Sequence, residues 1–143
     1  MKNLRFSMAL CAALAAVPAS AEELLPGLWE ITLETRVPGA EGLSPGTNQI
    51  TQCLTPGDAR DPSRLMASLS TQGASGCSFT SKSYSGSSFR FTLECAGAFE
   101  LKSRGEVSFS ASSMSGTINA SASLGGKITE FQNKLTARRL GNC

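Results

Sequence analysis

Along residues 28–37, LWEITLETRV, apolar and polar side chains alternate: Trp29, Ile31, Leu33 and Val37 fall on one side, and Glu30, Thr32, Glu34 and Arg36 on the other. A period of two residues marks a strand with one dry face and one wet face. A glycine- and proline-bearing turn, PGAEGLSPG, leads to a second strand near TNQITQCL, in which Ile50 and Leu54 share a face and Cys53 takes the opposite one. CSFTSKSY and SSFRFTLEC then flank Gly86 as a hairpin, with Phe89, Phe91, Leu93 and Cys95 inward. AFELKSRGEVSFSA repeats the rhythm: Phe99, Leu101, Val107 and Phe109 face in, while Glu100, Lys102, Arg104 and Glu106 form a solvated row of mixed sign. SMSGTINASASL places Met114, Gly116, Ile118, Ala120, Ala122 and Leu124 together, and Gly125-Gly126 turns into KITEFQNKLTARRLGNC. There the inward parity changes between Ile128 and Phe131, which predicts a bulge.

One stretch departs from this period. In TPGDARDPSRLMASLS, Asp61 precedes Pro62, and Leu65, Met66 and Leu69 recur at three- and four-residue spacing. Asp61 as N-cap and Pro62 at the first helical position predict one short helix near 61–70. The chain shows no alternation of strands with helices. The predicted class is mainly all-β: an antiparallel up-and-down meander of six to seven strands, curled into a barrel or half-barrel or laid against the helix.

The N-terminus changes the compartment. Lys2 and Arg5 precede an apolar run from Met8 to Val17, and Pro18 is followed by Ala19-Ser20-Ala21. That order predicts a secretory signal peptide, residues 1–21, cleaved after Ala21, leaving 22–143 as a single β domain in the periplasm or outside the cell. The run is too short for a membrane span. Losing both leader charges leaves eleven basic and eleven acidic residues. A neutral chain lacks the basic footprint that holds phosphates, so nucleic acid is not an expected partner.

Leu, Ile, Val and Phe make up about a fifth of residues 22–143, a level at which core burial barely offsets chain entropy. Covalent cross-links are therefore expected. Cys53, Cys77, Cys95 and Cys143 form an even set in an exported chain, which predicts two disulfides. The preferred pairs are Cys53 with Cys77, clipping the helical excursion, and Cys95 with Cys143, tying down the C-terminus. The alternative follows from the hairpin: a turn at Gly86 sets Cys77 opposite Cys95 and leaves Cys53 for Cys143.

Candidate chemistry is sparse. The chain has no histidine, which removes Ser-His-Asp and Cys-His arrangements and the commonest metal ligand. No CxxC spacing and no calcium-type loop occurs, so no metal or cofactor is expected. Glu30 and Glu34 share a strand face but stand roughly 13 Å apart, beyond the reach of paired-carboxylate hydrolysis. Asp58 and Asp61 suit helix capping. No catalytic residue is assigned, and the expected protein is not an enzyme.

PGLWEI near the start, QCLTPGDA after it, two internal cysteines and the terminal RRLGNC together resemble a family of small secreted proteins of Gram-negative bacteria known as domain of unknown function 3617. That resemblance spans nearly all of residues 22–143 and implies a periplasmic or secreted location and no established activity. Gly27-Leu28-Trp29 is also loosely similar to the G-x-W signature of lipocalins, in which a late arginine covers the tryptophan; Arg139 has the parity to do so by a cation–π contact. Trp29 is then either a core plug or the floor of a binding site. Trp29, Phe91, Phe109 and Arg139 are the candidate ligand-lining residues. Small residues at inward positions, among them Ser81, Ser83, Ser103, Gly105, Gly116, Ala120 and Ala122, either permit close approach or leave space for a guest. The expected function is a non-enzymatic periplasmic binder or carrier of a small apolar, lipid-like ligand. The alternative is a protein-interaction or structural module of the cell envelope, with an envelope protein as partner.

Overall fold

A computed structural model describes residues 23–40, 46–70, 75–97 and 100–143. The predicted signal peptide, Phe99 and the tip of the first turn lie outside the described residues. The elements are β1 (Gly27–Arg36), β2 (Gly46–Leu54), α1 (Pro56–Arg60), α2 (Pro62–Ser70), β3 (Cys77–Ser85), β4 (Ser88–Ala96), β5 (Glu100–Phe109), β6 (Ser113–Leu124) and β7 (Lys127–Gly141). The seven strands form one antiparallel sheet in the order β2-β1-β7-β6-β5-β4-β3.

The last five strands are thus a meander, and the β1–β2 hairpin adds to its far side by pairing β1 with β7. β2 and β3 remain as separate edges, so the sheet is an open half-barrel and not a closed barrel. The chain crosses from one edge to the other through α1 and α2. That crossing lays Leu65, Met66 and Leu69 into a core with Trp29, Ile31, Phe89, Phe91, Leu93, Val107, Met114, Ile118 and Leu135. Inward parity is cleanest on β4, where Phe89, Phe91, Leu93 and Cys95 are all buried.

The helical segment divides in two. Thr55 caps α1 in a reciprocal box: its hydroxyl accepts from the Asp58 N–H, and the Asp58 carboxylate accepts from the Thr55 hydroxyl and backbone N–H. These bonds hold Asp58 below its ordinary carboxylate range. Asp61 closes α1 and caps α2, its carboxylate accepting from the Ser63 N–H and hydroxyl. The predicted helix is α2; α1, which precedes Asp61 in the same segment, was not expected.

Three expectations are corrected. The preferred disulfides do not form: Cys53 pairs with Cys143, and Cys77 with Cys95. Register explains both, because Cys77 lies directly opposite Cys95. Cys53 lies opposite Leu28, and Leu28 opposite Gly141, which brings Cys143 within reach across β1. Cys53 and Cys77 instead sit on strands at opposite edges. Second, β7 pairs with β6 without a break from Ser113↔Arg138 to Leu124↔Lys127; the parity of Phe131, Leu135 and Ala137 sends Ile128 outward, where it is exposed. Third, the register shifts lie elsewhere: one at Leu28/Trp29, where β1 meets the end of β7, and one on β3 between Phe79 and Ser81, which sets Lys82 and Tyr84 opposite Phe91 and Phe89 in place of Ser81 and Ser83 on that face.

Candidate functional site

The inward side chains change character from one end of the sheet to the other. Toward the start of β1, Trp29, Ile31, Met114 and Ala137 fill the interior. Farther along, Leu93, Ser103, Ala120 and Phe131 lie side by side across β4 to β7, so two large side chains bracket a hydroxymethyl and a methyl. A cavity of about 370 Å³ opens at this level. Its walls are Leu33 and Thr35 of β1, Asn48 of β2, Leu69 of α2, Leu101 and Ser103 of β5, Ile118 and Ala120 of β6, and Phe131 and Asn133 of β7. The volume falls in the lower part of the range of small-molecule sites, and the lining is mostly apolar with a few convergent polar groups.

Not every small inward residue makes space. A Cβ on Gly105 would strike the Phe91 ring, and one on Gly116 would strike Glu106 and Val107. These glycines serve close packing, whereas Ser103 and Ala120 border the cavity.

The polar lining is unevenly satisfied. Asn133 Nδ2 donates to the Ile118 carbonyl at 3.2 Å, and its Oδ1 accepts from the Thr35 hydroxyl at 2.7 Å. Ser103 is 1% exposed, and its hydroxyl has no hydrogen-bond partner among the described residues. Among the described residues, none that lines the cavity carries a charge.

None of the four residues expected to line a ligand site, Trp29, Phe91, Phe109 and Arg139, borders this cavity, although Phe91 lines a second, shallower depression. Trp29 is fully buried, and its indole Nε1 donates to the Leu25 carbonyl at 3.0 Å, which makes it a plug of the core. Phe91 stacks on Phe89 with centroids 5.4 Å apart. Phe109 packs half-buried against the core. Arg139 stands opposite Trp29 in register, with Nε donating to the Pro26 carbonyl at 2.8 Å and a terminal nitrogen to Asn142 at 2.7 Å. The cation–ring contact found among the described residues is instead Lys82 over Phe79. Gly27, beneath the Arg139 guanidinium, has φ of 141° and no room for a Cβ. The Gly27-Leu28-Trp29 motif thus organises the start of an open sheet, without the barrel closure of lipocalins.

On the outer face, four carboxylates sit in ion pairs: Glu30 with Arg138 at 2.8 Å, Glu34 with Arg36 at 2.7 Å, Glu106 with Arg90 at 3.1 Å, and Glu94 with Lys102 at 3.7 Å. Two shallow depressions, of about 530 and 490 Å³, share Thr92, Arg104 and Asn119. Beside the β3 edge, Asp61 accepts from the Tyr84 hydroxyl at 2.9 Å. The Ser63 hydroxyl foremost, then Tyr84 and the charge of Lys82, hold Asp61 below its ordinary range against the opposing effect of burial. Burial first, then Asp61, pushes Tyr84 up. Among the described residues, no group of three His, Cys, Asp or Glu side chains converges as a metal site, and no helix is long and apolar enough to cross a membrane.

Neither the curated proteins nor the solved structures contain a match to this chain. A family model does match, over residues 24–143, from the segment that receives the Trp29 hydrogen bond to the cysteine that locks the C-terminus. The chain belongs to the family described as protein of unknown function (DUF3617).

Proposed function

We propose that the protein is exported, loses residues 1–21, and serves in the periplasm or outside the cell as a non-enzymatic binder or carrier of a small apolar ligand. The observation that carries this reading is the cavity under α2, walled by Leu33, Leu69, Leu101, Ile118, Ala120 and Phe131. A domain so poor in large apolar residues gains stability by bringing them into contact. Holding five of them around open space is favourable when a guest completes the burial. Two disulfides, characteristic of oxidising compartments, support export.

Native mass spectrometry of the protein extracted from its own cells tests the reading. A bound guest is expected on the wild-type chain and absent from Ala120→Leu, which fills the cavity. A guest retained by Ala120→Leu, or none on either form, would overturn it.

A second reading, docking on an envelope protein, has its own observation. β2 is a free edge of nine residues without charge or proline, GTNQITQCL, whereas the β3 edge carries Lys82 and a bulge. Charges and bulges protect edges from strand addition, and β2 lacks both. A co-purifying protein released by Ile50→Lys would favour this reading.

A further inference from the structure

We propose that the cavity takes an uncharged amphiphile, with an apolar body of about a dozen non-hydrogen atoms and one hydroxyl or carbonyl group that hydrogen-bonds to Ser103. This rests on the binding reading above and specifies the ligand class.

Ser103 is the informative residue. It sits on β5 with β4 on one side and β6 on the other, so the backbone carbonyls around it are engaged in the sheet ladders. Its hydroxyl is out of contact with solvent and has no hydrogen-bond partner among the described residues, and Ser103 itself borders the cavity. A buried hydroxyl without a partner is costly, and buried polar groups in native proteins are nearly always satisfied. Alanine, as at the adjacent Ala120, would fit the same space with no such cost. The hydroxyl is therefore best explained by a group that arrives with the guest. A hydroxyl both donates and accepts, so an alcohol and a carbonyl are both suitable.

The rest of the lining limits that group. The Asn133 carbonyl oxygen and the Thr35 hydroxyl are already joined, and among the described residues no cation lines the cavity. A carboxylate or ammonium buried there would lack a counter-charge, which excludes charged head groups from the Ser103 position. The body is sized by the volume: at ~30 Å³ per heavy atom, as for a molecule of liquid water, 370 Å³ holds about a dozen.

The experiment follows the Ser103 and Ala120 backbone amides by NMR while the purified oxidised protein is titrated with three matched probes: pentylbenzene, phenylpentanol and phenylpentanoate. Wild-type protein should bind the alcohol saturably, and the carboxylate at least roughly tenfold more weakly at pH 8. Ser103→Ala should weaken the alcohol by about fivefold or more while changing pentylbenzene less than about twofold, as the loss of one hydrogen bond requires. Ser103→Cys, near in size, serves the same comparison if the alanine variant fails to fold. Equal loss for alcohol and hydrocarbon, or a carboxylate bound as tightly as the alcohol, would overturn the assignment to Ser103 while leaving the cavity in place. Saturable binding of none of the three probes, or binding undiminished in Ala120→Leu, would overturn the binding reading itself.

Discussion

Trp29 and Leu25, four residues apart, are joined by a side chain–backbone bond: the indole N–H donates to the Leu25 carbonyl at 3.0 Å, and the ring is wholly removed from solvent. The hydrogen bond satisfies the one polar atom of the largest side chain in the core. It also fastens the segment before β1 to the first inward position of the sheet. Trp29→Ala should lower stability by about 3–5 kcal/mol, as large-to-small core changes do. Trp29→Phe should cost less, because it keeps most of the buried area and loses the bond to Leu25. Urea titrations followed by circular dichroism give both values. Because Trp29 lies away from the cavity, neither variant should change ligand affinity once folded.

The two disulfides differ in the chain they close: Cys53–Cys143 spans 90 residues and Cys77–Cys95 spans 18. In the chain-entropy model the longer closure stabilises by about 4.5 kcal/mol and the shorter by about 3. The pair Cys53→Ala with Cys143→Ala should therefore destabilise by roughly 1.5 kcal/mol more than Cys77→Ala with Cys95→Ala. Non-reducing peptide mapping should recover these two linkages and no free thiol among the four positions.

These linkages also show what could be read from the residues alone. Strands with strong contrast were legible: on β4 the buried Phe89, Phe91, Leu93 and Cys95 alternate with solvated neighbours, and parity followed directly. The hairpin spacing around Gly86 already contained the Cys77–Cys95 pair, but closeness in sequence to the helix favoured the wrong partner for Cys53. Where contrast vanishes, so does the signal. SKSYS on β3 gives no parity of its own, and the bulge between Phe79 and Ser81 decides that Lys82 and Tyr84, exposed at the edge, share the face of Phe91 and Phe89. The N-terminal half of the crossing falls outside the predicted helix because Asp61-Pro62 gives the stronger start signal. The Thr55-x-x-Asp58 box was the available sign of a helix.

The candidate site was legible only in part. Large aromatics were the expected lining, yet Trp29 and Phe91 are buried side chains that fill space. The cavity is bordered instead by Ser103 and Ala120, which belong to the small inward set noted in the sequence. That set could not be divided beforehand, because whether Gly105 and Gly116 leave a gap depends on the rotamers of Phe91 and Val107 across the strand.

Arg138 and Arg139 are adjacent but point to opposite faces. Arg138 forms an exposed pair with Glu30, and such pairs contribute about 0–1 kcal/mol. Arg139 donates to the Pro26 carbonyl from a half-buried position, joining the end of β7 to the start of β1. Arg139→Ala should cost about 1–2 kcal/mol and Arg138→Ala less than about 0.5, measured as shifts in urea midpoint at constant m-value.

The last prediction concerns the contact that anchors α2 to the β3 edge. Asp61 accepts from the hydroxyls of Ser63 and Tyr84, and its ionised form is favoured in the folded protein. Because the folded value lies below the ordinary 3.8, its contribution is fully present above that value and is lost as pH falls through the lowered one. Asp58, lowered by its Thr55 bonds, acts in the same direction. Asp61→Asn should therefore flatten the acid limb of the stability curve below about pH 4 and leave its slope near neutrality unchanged. Tyr84→Phe removes one donor to the carboxylate while keeping the ring stacked 4.6 Å from Phe89. It should cost about 0.5–1 kcal/mol at pH 7 and raise the Asp61 titration, read by carboxyl-carbon NMR, partway toward its ordinary value. A Tyr84→Phe protein whose Asp61 titrates as in wild type would mean that the phenol does not hold the helix to the edge.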